Sequence, residues 1–210
     1  MYIGKIAGCM AVWSISTAAV AAVHAPGTAD AKAEAQALIA AANAGAYFVE
    51  DSEGEVPAVR HLASGLRCTF EPHAKLNKIT IYPVSDPTVP EGDDVSCETK
   101  SVGFAVSIYA TRYGAPTTAD EQLGVAVSAI RQRFTDVEPF TGTGASASDS
   151  GAGPKLPMHK TARFKAKLDG MRYFTRASVA MVDGWTVLQR VSGPLSDSIQ
   201  GDRLGELDMI

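Results

Sequence analysis

Residues 161–192 read TARFKAKLDGMRYFTRASVAMVDGWTVLQRVS, and two dipeptides in this stretch decide the fold. Asp169-Gly170 and Asp183-Gly184 are the residue pairs that type I′ turns require, because both central positions of such a turn need a positive φ. Each is flanked by alternating apolar and polar residues, so three strands, about Thr161–Leu168, Met171–Val182 and Trp185–Ser192, join into an antiparallel meander. A two-residue loop also sets the register: Leu168 faces Met171, Ala166 faces Tyr173, Phe164 faces Thr175 and Ala162 faces Ala177. These positions share one side of the sheet, expected to face the core.

The same register gathers Arg163, Lys165 and Lys167 beside Arg176, Phe174 and Arg172 on the other side. Between Lys155 and Arg190 there are eight Lys/Arg against two Asp, a local charge of +6 in a chain of −4. Like charges placed opposite one another repel, so this face needs counter-charge. Its functional reading is an anion-binding surface for an anionic component of the cell envelope: a phospholipid headgroup, a polyanionic glycan or an acidic protein. The other reading is a face that is solvated, or paired with the acidic segments Glu50–Glu55 or Glu91–Glu98. Charged strand faces are more often of this second kind.

Working outward, Ser101–Tyr113 reads as the longest strand, with Val102, Phe104, Val106, Ile108 and Ala110 on one side. Pro116 ends it. Thr118 to Glu121 (TADE) forms a capping box, and Leu123, Val127, Ile130 and Phe134 repeat at helical spacing, predicting a helix over 118–135. A second helix is predicted over 29–44, stopped by Gly45. Short β-like runs occupy Tyr47–Glu50, Val56–Leu62, Leu66–Glu71 and Lys78–Tyr82, and an acidic turn-rich loop occupies Ser85–Asp94. Thr141–Pro154 is a Gly/Ser/Ala tract read as a flexible loop. Residues 195–210 hold a short terminal helix. The expectation is one α+β domain: an antiparallel sheet, two main helices packed on it, and the C-terminal meander.

The first residues, MYIGKIAGCMAVWSISTAAVAAVHA, have the form of a Sec-type signal peptide. Lys5 precedes an apolar stretch, and small residues allow cleavage after Ala21 or, alternatively, Ala25. The expected location is therefore periplasmic or secreted. Cys9 precedes the apolar stretch, whereas a lipobox cysteine follows it. Cleavage removes Cys9 and leaves Cys68 and Cys97, which in an oxidising compartment are expected to form a disulfide. No later apolar run is long enough to span a bilayer, so no stable span is expected after cleavage. The mild net charge suggests no nucleic-acid partner.

Motifs that carry chemistry are sparse. There is no G-x-S-x-G elbow, no C-x-x-C pair, no Walker loop and no H-E-x-x-H. Gly142-x-Gly144-x-x-Ala147 resembles a dinucleotide fingerprint but is followed by residues that do not start a helix. Cys68, Cys97, His61 and His73 lack the spacing of a metal site. Glu91, Asp93, Asp94 and Glu98 lack the ladder of a calcium loop. Ser64 lies three residues from His61, a spacing without diagnostic value alone. Trp185, Phe164, Tyr173 and Tyr109 fit either a pocket or a core, and aromatics at strand spacing are more often core. No catalytic residue, cofactor or metal is predicted.

The segments Tyr47–Glu50, Arg60–Cys68, Tyr109–Tyr113 and Val182–Pro194 resemble those of uncharacterised exported proteins of Gram-negative bacteria, a resemblance that brings no activity with it. From Val95 onward the element order (strand, helix, meander) is similar to that of PsbP-like domains, which mostly act as accessory or binding modules. The expected function is a non-enzymatic exported binding or accessory protein of unknown ligand. The alternatives are a small hydrolase with an unrecognised site and a purely structural envelope protein.

Overall fold

The computed structural model describes residues 26–84, 89–142 and 159–204. The expected signal segment, most of the Gly/Ser/Ala tract, and Leu207 lie outside them. Among the described residues the chain forms three α-helices and two antiparallel sheets. None of these helices is long and apolar enough to cross a membrane.

Helix α1 spans Ala29–Ala41, with Thr28 as N-cap accepting from the Ala31 N–H at 3.3 Å. It ends earlier than its alanine-rich sequence suggests. Asn43 takes the left-handed conformation (φ 52°) expected of Gly45. The Asn43 N–H bonds the Ala40 carbonyl, and the Ala44 N–H bonds the Ile39 carbonyl. That pair of bonds is a Schellman closure, a role asparagine can take because its short polar side chain tolerates this region. The small sheet follows: β1 (Phe48–Glu50), β2 (Ala58–His61) and β3 (Arg67–Thr69), paired in that order.

The large sheet has seven strands. In chain order they are β4 (Lys78–Ile81), β5 (Asp94–Ser101), β6 (Phe104–Thr111), β7 (Thr135–Pro139), β8 (His159–Leu168), β9 (Met171–Val182) and β10 (Trp185–Pro194); in space they run β4-β5-β6-β10-β9-β8-β7. The meander register is as expected, with Leu168 opposite Met171 and Ala162 opposite Ala177. The single long strand expected over Ser101–Tyr113 is instead the second arm of a hairpin. Val102 (φ 48°) and Gly103 (φ 90°) make the turn, and Asp94–Ser101, expected in part as acidic loop, is the first arm. A β-branched residue at positive φ is uncommon, which is why the turn is hidden in the sequence. Helix α2 (Ala119–Arg133) carries the capping box, with Thr118 and Glu121 bonded reciprocally.

Both faces of the large sheet are covered. On one, Ala126, Ile130 and Phe134 of α2 and its C-cap pack on Phe164, Ala166 and Ala177. This is the face expected to be core. The opposite face carries two separate caps. Phe48, Val59 and Leu66 of the small-sheet layer pack on Val95, Cys97, Ala110 and Val187. Beyond them α3 (Ser198–Leu204) lies over Phe104, Phe174 and Val191. Two glycines let α3 come this close: a Cβ on Gly193 or on Gly201 would stand 2.3 or 2.4 Å from the Phe104 ring. Cys68 of β3 and Cys97 of β5 form a disulfide (Cα–Cα 6.1 Å) that ties the small sheet to the large one.

Candidate functional site

The basic hairpin face is only partly open: Lys165, Lys167 and Arg172 reach solvent, whereas Phe174 and Arg176 do not. Arg176 is 1% exposed, and Phe174 beside it is fully buried. Asp202, projecting from α3, accepts from Arg163 Nε at 2.6 Å and from an Arg176 terminal nitrogen at 3.2 Å. Arg176 Nε also donates to Ser178 Oγ at 3.0 Å. Lys165 pairs with Glu138 at 2.7 Å and Lys167 with Asp136 at 2.8 Å, both acids on β7. Among the described residues, counter-charge to Arg163, Arg176, Lys165 and Lys167 comes from α3 and the edge strand. Arg172 is exposed and makes no ion pair within 4.0 Å among the described residues. Of the five residues expected to form an anion-binding surface, Arg176 lies beneath α3 and does not reach solvent.

His61 and Ser64 do meet. Ser64 Oγ lies 2.8 Å from His61 Nδ1, and the ring is packed against Phe48 and edge-on to Trp185 at centroid distances of 5.0 and 5.4 Å. Both polar atoms are also held by the main chain. The Ser64 N–H donates to Nδ1 at 3.3 Å and the Leu66 N–H to Ser64 Oγ at 3.1 Å. This network closes the turn between β2 and β3. Burial pushes the His61 pKa below its usual value, partly opposed by the Asp93 carboxylate. Arg112 lies over the Trp185 ring (4.5 Å) and 3.5 Å from Asp93.

The remaining expected groupings disperse. His73 is exposed and pairs with Glu34 at 3.3 Å, while Cys68 and Cys97 are consumed by their disulfide. Among the described residues no three His, Cys, Asp or Glu side chains converge as a metal site would require. Trp185 belongs to the small-sheet core, Phe164 and Tyr173 to the α2 core, and Tyr109 stacks on Tyr82.

A cavity of about 410 Å³ lies where the small sheet and α3 meet on the large sheet. Its volume falls within the range of about 300–1,000 Å³ usual for small-molecule sites. Phe70, Val106, Ile108, Leu204 and the Cys68–Cys97 disulfide supply apolar wall. Along one rim, Glu71, Thr99 and Ser101 bond one another and the following loop: Ser101 Oγ to Glu71 at 3.0 Å, Thr99 Oγ1 to Asn77 at 2.7 Å. Gln189 differs. It is 3% exposed; its Nε2 donates to the Leu204 carbonyl at 3.3 Å, and its Oε1 has no partner. The Leu204 carbonyl can only accept, so it fixes which end of the amide is Nε2 and leaves the acceptor unpaired. A buried acceptor without a partner costs about 1–3 kcal/mol. Of the buried polar atoms without partners among the described residues, only Gln189 Oε1 belongs to a residue lining this cavity. Sequence reading passed over Gln189, although its place between Val187 and Val191 on the inward side of β10 is itself a signal.

No protein-family model matches the chain, and no curated protein matches it. Among solved structures, a Pseudomonas aeruginosa protein of unknown function overlays with a TM-score of 0.35 and 8% identity, over 73% of this chain and 92% of that one. Similarity at this level transfers neither fold nor role.

Proposed function

We propose that this chain is an exported, non-enzymatic binding or accessory module that holds a small, mainly apolar molecule between its two sheets and α3. One observation carries the reading: a largely apolar cavity of about 410 Å³ where the small sheet and α3 meet on the large sheet. Export is supported by the signal-like form of residues 1–25 and by the Cys68–Cys97 disulfide, a bond that persists in oxidising compartments. The likeness to uncharacterised exported proteins and to the element order of PsbP-like modules points the same way.

The test is stabilisation by a ligand. A molecule that binds only the folded state at a hundred times its Kd adds about 2.7 kcal/mol. Titration with benzene and 1-octanol is expected to raise the Tm of the wild-type chain. Val106→Phe, which places a ring in the cavity, is expected to lose that rise. A Tm indifferent to every such molecule refutes the proposal.

A further inference from the structure

We infer that the ligand is a cationic amphiphile, a primary alkylammonium whose apolar chain fills the cavity and whose head sits on the Glu71 carboxylate at the rim. The inference rests on the binding reading above and adds the chemical class of the ligand. Three observations lead to it.

First, the charge of the cavity has one sign. Among the described residues that line it, the ionisable side chains are Glu71 and Glu98, the two cysteines being oxidised. Side chains alternate across a strand. Cys97 faces the small sheet through its disulfide, so Glu98 turns to the other side of the large sheet, in register with Lys78. Lys100 alternates onto that same side, and Arg203 lines a separate hollow with Asp197. Glu71 is left as the charge of this cavity.

Second, Glu71 is exposed at the mouth and held there. Ser101 Oγ, from the same lining, donates to one carboxylate oxygen at 3.0 Å, and the Glu71 N–H donates to Thr99 Oγ1 at 3.1 Å. Main chain and side chain are thus both anchored to β5. Third, the carboxylate has unused capacity. Its two oxygens offer about four lone-pair positions, of which the Ser101 hydroxyl fills one. Among the described residues it makes no ion pair within 4.0 Å, and the nearby His73 is taken by Glu34. An ammonium head brings three donors and the opposite charge, and the exposed rim spares it the cost of burial. A carboxylate or phosphate head would be repelled.

Three probes of equal chain length isolate the charge: n-octylammonium, 1-octanol and octanoate. Their affinities are measured by calorimetry at neutral pH for the wild-type chain and two variants. Glu71→Gln keeps the length of the side chain and removes its charge. Asp30→Asn controls for net charge, since Asp30 is exposed at the start of α1 and outside the cavity lining. In the wild type octylammonium is expected to bind tightest and octanoate weakest. The ratio of octanoate to octylammonium Kd is expected to fall about fivefold in Glu71→Gln, the scale of an ion pair in contact with water, and to hold in Asp30→Asn. A ratio that survives Glu71→Gln, or falls as far in Asp30→Asn, overturns the assignment to Glu71. A second measurement covers the case in which Glu71→Gln fails to fold. Raising salt from about 0.01 M to about 1 M is expected to weaken octylammonium relative to octanol in the wild-type chain, because screening acts on the charged head alone. If these two bind alike and salt does not separate them, the cationic class is wrong while the binding module stands. If none of the three probes binds, both fall.

Discussion

Asp202→Ala tests how the C-terminal helix is held. Asp202 is 2% exposed and Arg176 1%, and the carboxylate joins Arg176 to the half-buried Arg163. Removing one partner of a buried ion pair costs about 3–5 kcal/mol, because the remaining charge stays desolvated. Here the lower end applies. Arg176 retains Ser178 Oγ and the main-chain carbonyl of residue 202, and Arg163 can reach water. A loss of about 3 kcal/mol is expected, which for a chain of this size lowers Tm by roughly 6–12 °C. Asp202→Asn, which preserves an acceptor without the charge, should lie between wild type and Ala. Replacing the pair together, Asp202→Ala with Arg176→Met, should recover part of the loss, since the buried charge goes with its partner. Urea unfolding monitored by circular dichroism gives all three values. A single-variant loss below about 1 kcal/mol, within the range of ordinary surface substitutions, refutes the assignment of Asp202 as the anchor.

Gly201→Ala should destabilise by about 1–3 kcal/mol through overpacking, since the new methyl meets the buried Phe104 ring; a Tm equal to wild type contradicts the close approach. Reducing the disulfide should cost about 3–4 kcal/mol by the chain-entropy relation for a separation of 29 residues, read as a lower urea midpoint in the presence of reductant. His61 supplies a pH dependence. Its folded pKa is depressed by burial, so its contribution is complete above the unfolded value near 6.5 and declines as pH falls from there toward the folded pKa. Stability measured between pH 7 and pH 5 should therefore fall on acidification, and His61→Gln should flatten that slope; an unchanged slope points to another group.

The sequence showed the fold where local chemistry and tertiary structure agree. Asp169-Gly170 and Asp183-Gly184 adopt positive φ readily, and the register they set is the one observed. It concealed the third such turn, because Val102 is held at φ 48° by the hairpin it joins and not by its own preference. Strand β7 was invisible for a related reason. Thr135–Pro139 is a mostly exposed edge strand with a register shift between Thr135 and Glu138, so it carries no alternation. The basic face was legible as a cluster, and its second layer was not. Phe174 in the middle of that face is a sign that something covers it, yet nothing in residues 195–204 announces that Asp202 would be the counter-charge. The cavity arises where three elements distant in sequence fail to close on one another, and no local pattern encodes such a gap.

The cavity between the small sheet, α3 and the large sheet is expected to hold a molecule. Native mass spectrometry of the chain purified from its native cells tests it directly. The expected spectrum shows one small adduct per chain, released by organic solvent and absent from Val106→Phe, on a polypeptide whose mass matches the oxidised Cys68–Cys97 form. A bare polypeptide that also fails to take up added 1-octanol is the contrary result.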